Sequence, residues 1–134
     1  MTNAAVVIDA STVVAALVDS GPEGLWAEQV LASGPLAAPH LMPVEVANIL
    51  RRASAAGEIS ADVAALAHAD LGALRVELFP YAPFSERIWE LRANVTCYDA
   101  WYVALAEFLD STLATLDRRL ARAPGSKCAV ETPR

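Results

Sequence analysis

Apolar positions along this chain change period several times, and each change marks a predicted element. Ala4 to Ile8 is an unbroken apolar run rich in Val, the pattern of a short strand covered on both faces. It ends at Asp9. Ser11 and Thr12 suit a helix entry, so a helix is predicted through about Asp19, broken at Ser20-Gly21-Pro22 and resumed from Glu23 to Ala32. Gly34 and Pro35 introduce a second strand, Leu36 to Ala38. Pro43 then suits the first turn of a helix in which Val46, Ile49, Leu50 and Ala53 form one apolar stripe, with Glu45, Asn48 and Arg52 along the adjoining face. Gly57 closes it, and Ser60 caps another helix to about Leu74.

The period turns extended again over Val76 to Tyr81, a third strand whose Pro80 fits a sheet edge or a strand end. Pro83 and Ser85 open a further helix with Ile88, Leu91 and Val95 inward and Glu86, Glu90 and Arg92 outward; Trp89 is expected to pack. Tyr98, Trp101, Tyr102, Leu105, Phe108 and Leu109 recur at helical spacing and predict an amphipathic helix with a broad apolar face. A short strand at Thr112 to Leu116, a helix opening at Asp117, a turn at Ala123-Pro124-Gly125 and a last strand at Lys127 to Val130 complete the pattern.

Short strands alternating with helices imply a three-layer α/β/α domain around a mostly parallel sheet of four to five short strands. Residues 1–134 are expected to form one such domain. In sheets of this kind the working groups collect at the carboxyl ends of the strands. Asp99 lies in the first turn of its helix; about twelve helical residues descend ~18 Å, and the five-residue strand after it climbs back ~16 Å. Asp117 therefore returns to the rim that Asp99 occupies. Asp9 ends the first strand and Glu45 opens a helix, so all four carboxylates should face one edge. Taken singly, each also reads as an acid favoured at a helix start by capping or the macrodipole. Together they point to an acidic site.

Composition narrows the chemistry. The chain is 55% hydrophobic with a mean hydropathy of +0.36, yet its longest uncharged run, Gln29 to Val44, holds three prolines and a glycine and is too short to span a bilayer. No Lys or Arg precedes Arg51, so no basic signal region is expected and the protein should be cytoplasmic. Cys97 and Cys128 have no disulfide or metal spacing and read as reduced, partly buried hydrophobes; His40 and His68 read as surface residues. Four acids in one cleft repel unless a cation neutralises them, and a donor set of hard oxygens suits Mg²⁺ or Mn²⁺ rather than zinc.

A net charge of −6 argues against a nucleic-acid partner until the four acids are counted apart, which leaves only −2. Nine of the ten cations are Arg. Arg51 with Arg52, and Arg118 with Arg119, follow site carboxylates and suit bidentate phosphate contacts, although such clusters also read as solvated helix faces.

VVIDAST at Val6 to Thr12, PVEVANILRR at Pro43 to Arg52, YDAWYVALAE at Tyr98 to Glu107 and LATLDRRLAR at Leu113 to Arg122 together resemble PIN-domain ribonucleases, specifically the VapC-like toxins of bacterial toxin-antitoxin pairs. The resemblance implies a Mg²⁺- or Mn²⁺-dependent endoribonuclease with Asp9, Glu45, Asp99 and Asp117 as its acidic quartet. Ser11, Thr115 and Asn48 match supporting polar positions. It also implies a small VapB-like antitoxin that blocks the cleft, in a homodimer or a toxin-antitoxin hetero-oligomer, with no membrane. The rival reading is a non-catalytic PIN-like module that binds RNA or protein without cleaving. A haloacid-dehalogenase-like phosphatase would need an Asp where this chain has Ser11.

Overall fold

The computed structural model describes residues 5–134; Ala4, the first residue of the predicted opening strand, lies outside the described residues. Five strands form one parallel sheet in the order β3-β2-β1-β4-β5: β1 Val6–Ile8, β2 Leu36–Pro39, β3 Glu77–Phe79, β4 Leu113–Ala114 and β5 Val130–Glu131. The central strand is completely buried at Val7 and Ile8, as a strand covered on both faces must be. Val7 stands level with Ala37 on one side and Leu113 on the other.

Two groups of helices cover the sheet. α1 (Ala10–Val18) packs against α2 (Pro22–Leu31), α3 (Met42–Ala55) and α4 (Ala61–Ala73), whereas α5 (Ser85–Glu90) packs on α6 (Cys97–Phe108). The chain steps outward from β1 to β3 and then crosses back to β4. Right-handed crossovers in opposite directions place the two helix groups on opposite faces. The corner between α1 and α2 requires glycine, since a Cβ on Gly24 would fall 1.7 Å from the Asp19 carbonyl oxygen. Gly57, at φ +77°, lies just beyond α3, where an L side chain would be strained.

Most predicted elements are present, with every strand except β2 shorter than predicted, and Pro80 directly follows edge strand β3. Several expectations fail: the helix predicted to carry Val95 ends at Glu90. Trp89 was expected to pack, yet it is 61% exposed, because the six-residue α5 buries Ile88 and has little further surface to hide. Tyr98 and Phe108 on α6 are also exposed. That helix is about 18 Å long against strands of about 13 Å or less, so both of its ends overhang the sheet. Cys97 is exposed in the same first turn, although Cys128 is partly buried as expected. The last strand lies later than predicted because Lys127 N–H is held by Glu107 Oε2 at 2.7 Å, and ladder bonding starts only at Ala129 O.

Glu107 also receives both arms of Arg87, Nε at 2.7 Å and Nη2 at 3.0 Å, while Nη2 reaches Gly125 O at 2.7 Å. This clasp ties α5, α6 and the loop before β5 together. Burial opposes ionisation of Glu107, but the hydrogen bonds from Arg87 and the Lys127 N–H, with the charges of both residues, together outweigh it and hold the carboxyl below its usual range. A depressed carboxylate gives stability that is present above its unfolded pKa and is lost as pH falls through the folded value. Glu107→Gln should thus lower the melting temperature at pH 7 by about 4–12 °C, for a loss of about 1–3 kcal/mol. The difference should shrink on acidification below about pH 4. Melts of both proteins across that range test it.

Candidate active site

The strand order reverses beside β1: the chain leaves β1 toward β2 on one side and returns to β4 on the other. Parallel sheets open a crevice at the carboxyl edge of such a point. Asp9 follows β1 and caps α1, its Oδ1 accepting from Thr12 N–H at 3.0 Å. Ser11 Oγ donates to the same oxygen at 2.7 Å, and Thr115 Oγ1, just past β4, donates to Asp9 Oδ2. The hydroxyls also reach the other lip. Leu116 N–H donates to Ser11 Oγ at 3.1 Å, and Asp117 N–H donates to Thr115 Oγ1 at 3.0 Å. Ser11 and Thr115 therefore orient Asp9 and stitch the two strand exits into one rim.

Glu45 sits in the first turn of α3 and Asp99 in the first turn of α6, where Thr96 Oγ1 caps the helix by accepting from Asp99 N–H at 3.1 Å. Asp117 is the N-cap of α7 (Arg118–Arg122), accepting from Arg119 N–H at 2.9 Å. So all four, Asp9 included, are helix-start acids in the ordinary structural sense while also facing this edge.

The electrostatics bind them into one group. Burial raises the pKa of Asp9 against the hydrogen bonds from Thr115, Ser11 and Thr12. Burial also raises Glu45, and the negative charges of Asp99 and Asp9 push it further up, against the hydrogen bond from Tyr102. Asp99 is raised by burial and then by the charges of Asp117 and Asp9. Glu45 and Asp99 are thus destabilised as anions in part by their acidic neighbours, and Asp9 by its burial, which together make a standing demand for positive charge.

Hard carboxylate oxygens fit Mg²⁺ or Mn²⁺ in donor chemistry. Among the described residues, no three Asp, Glu, His or Cys side chains are gathered tightly enough to grip an ion directly. Mg²⁺ needs no such cage, since it keeps several waters and commonly takes one or two carboxylates. The residues fit on that basis.

By its spacing alone Tyr102 belongs to the apolar face of α6. It is buried, and its hydroxyl donates to Glu45 Oε1 at 2.5 Å from α6 to α3 across the cleft. A Tyr among apolar residues at helical spacing gives no sign that its hydroxyl meets a carboxylate 57 positions away. Asn48 is exposed and accepts from Arg51 Nε at 3.0 Å, so this pair is local to α3 and separate from the rim network. Arg52 is exposed on the same helix. Arg118 is engaged elsewhere, donating to Pro133 O at 2.7 Å. Arg119 leans on Asp117 at 3.5 Å and lines an open groove of about 520 Å³ together with Asp99, Asp117, Asn94 and Arg92.

Residues 6–126 match the PIN domain family model. The chain is 43% identical to Ribonuclease VapC1 of Mycobacterium tuberculosis over 129 residues, covering 96% of this chain and 97% of that one. It belongs to the VapC family of PIN-domain proteins. Its PIN fold matches the crystal structure of PAE2754 from Pyrobaculum aerophilum with a TM-score of 0.70, at 23% identity, over 94% of this chain and 82% of the other. It also matches VapBC2 from Rickettsia felis, solved bound to a promoter DNA fragment, with a TM-score of 0.67 at 14% identity, covering 96% and 98%. No helix among this PIN chain's described residues is long and apolar enough to cross a membrane.

Proposed function

We propose that this chain is the toxin of a toxin-antitoxin pair, a Mg²⁺- or Mn²⁺-dependent endoribonuclease that hydrolyses RNA phosphodiester bonds at Asp9, Glu45, Asp99 and Asp117. The observation that carries the reading is the buried Asp9 and the electrostatic strain that neighbouring acids place on Glu45 and Asp99, at the carboxyl edge of a strand-order reversal in a chain so similar to a ribonuclease. When bound, a divalent ion would polarise the phosphoryl oxygen and supply an activated water. The protein's own contribution is placement. Ser11 and Thr115 fix the Asp9 carboxylate, Tyr102 fixes Glu45, and Asp99 and Asp117 border the open groove that admits the RNA backbone. Arg119 and Arg92 in that groove offset its negative charge toward phosphate.

Incubating purified protein with total RNA in Mn²⁺, in Mg²⁺ and in a chelator, and mapping new 5′ ends, tests this directly. New ends that need the metal support the nuclease. RNA binding with no new ends in either metal would favour the non-catalytic module instead.

The second half of the reading is a small VapB-like antitoxin. Val44 and Leu66 are each about two-thirds exposed, and an apolar groove lies beside α3 and the edge strand β3 at Val44, Leu71, Leu74 and Leu78. Exposed apolar area of this kind marks a partner surface. The antitoxin is expected to set a basic side chain, Arg by preference, against the metal-free acids. Co-expression with the small protein encoded beside this gene should yield a stable complex with suppressed cleavage. A chain that stays monomeric at high concentration and retains no such protein overturns it, and a pure homodimer assigns the apolar surface to a second copy.

A further inference from the structure

Trp89 stands outside everything assigned so far, and of its neighbour Arg92 only the charge has been used. Trp89 exposes most of its ring although its neighbour Ile88 is fully buried, so its exposure is not that of a loose helix. Arg92 lies over the ring with its guanidinium carbon 4.3 Å from the centroid, and its Nη1 donates to the Trp89 carbonyl oxygen at 2.6 Å. The backbone repeats the tie, Arg92 N–H donating to the same oxygen at 3.3 Å. A long, flexible side chain is thereby held over an indole. Arg92 also lines the groove that contains Asp99 and Asp117.

We propose that Trp89 and Arg92 form a stacking platform for a base of single-stranded RNA flanking the cleaved bond, with the Arg92 guanidinium held in place by the indole behind it. This rests on the nuclease reading given above. Planar guanidinium groups and aromatic rings are the surfaces on which unpaired bases stack, and the contact tolerates any base because each has a π-face. Chemistry decides between RNA and a protein segment. Arg92 shares the groove with Asn94, Thr96, Asp99, Asp117 and Arg119 as well as with smaller apolar residues, and that charged and polar part suits a nucleotide with its metal-neutralised backbone. The apolar surface suited to a protein lies instead at Val44 and Leu78.

The experiment measures binding of a fluorescein-labelled mixed-sequence RNA of about 12 nucleotides, and of an abasic analogue with the same phosphates, in Ca²⁺ with the full chain. Trp89→Ala should weaken RNA binding by about tenfold, in line with the loss of one stacked base. Trp89→Phe should restore most of it. The salt dependence of Kd should be unchanged in both, since no phosphate contact is removed. On the abasic analogue, Trp89→Ala and wild type should bind alike. RNA should quench wild-type tryptophan fluorescence more than that of Trp89→Phe, a readout that holds even if Trp89→Ala fails to fold. Equal RNA affinity of wild type and a folded Trp89→Ala, an equal loss on the abasic analogue, or undiminished quenching in Trp89→Phe each overturns the platform. If Trp89→Ala weakens only capture of the co-encoded small protein, the pair is a protein contact and the inference also fails. Failure of the nuclease reading shows separately, as absence of metal-dependent cleavage by wild type.

Discussion

RNA cleavage should fall by about three orders of magnitude in Asp99→Asn, and comparably in Asp9→Asn and Glu45→Gln, with each protein still folded. The expected size follows from what a metal contributes to phosphoryl chemistry: several kcal/mol of charge stabilisation in the transition state, and ~4 kcal/mol is about a thousandfold in rate. Each substitution keeps the shape of the side chain and removes a negative charge. Asp99→Asn is the most informative of the three. The cap of α6 is Thr96 accepting from the residue 99 backbone N–H, so the helix start survives the change. Asp9→Asn also disturbs the hydrogen bonds from Ser11, Thr12 and Thr115, and its loss of activity must be weighed against a loss of order. Initial rates on one RNA, with circular dichroism on the same samples, decide the matter; wild-type activity persisting in a chelator sinks it.

The second large effect is in stability and reverses sign with metal. Burial and the neighbouring charges of Asp117 and Asp9 hold the Asp99 pKa above its usual value. The folded state then binds protons more readily than the unfolded chain, so ionisation of Asp99 opposes folding. That opposition is absent below the unfolded pKa, grows as pH rises through it and levels off above the folded one. In EDTA at pH 7, Asp99→Asn should therefore melt no lower than wild type, and any advantage should fade below about pH 4. In millimolar Mn²⁺ the order should reverse. Binding at one hundred times Kd stabilises by ~2.7 kcal/mol, a rise of the order of 10 °C for a domain of this size, most of which the mutant should forgo. A mutant clearly destabilised in EDTA that gains as much from Mn²⁺ as wild type would show Asp99 to be a structural residue.

The sheet and its acid edge were legible in the sequence because they depend on element order. A strand ending at Asp9 and a helix-then-strand return from Asp99 to Asp117 constrain positions through rise per residue alone, and the charges of these acids do act on one another. Burial was less legible. Helical spacing at Tyr98 and Phe108 identifies a face but not how far the sheet beneath it extends, and here the strands are too short to cover either end. Trp89 illustrates the same limit on a helix of six residues. Cross-element hydrogen bonds such as Tyr102 to Glu45 leave no periodic trace, since they depend on which residues of separate helices come to face each other.

The bond from Thr115 to Asp9 closes a span of 106 residues, and β1 acquires its second neighbour only when β4 arrives. Translation at about 5–20 residues per second puts roughly 5–20 s between the two ends of that bond. Throughout that interval the emerging chain holds Asp9 on a half-paired strand, with neither Thr115 nor Asp117 yet made. On the proposed nuclease reading, the edge that holds Asp9 is completed only once Thr115 and Asp117 have been made, so the emerging polypeptide would leave the RNA around it uncut until then.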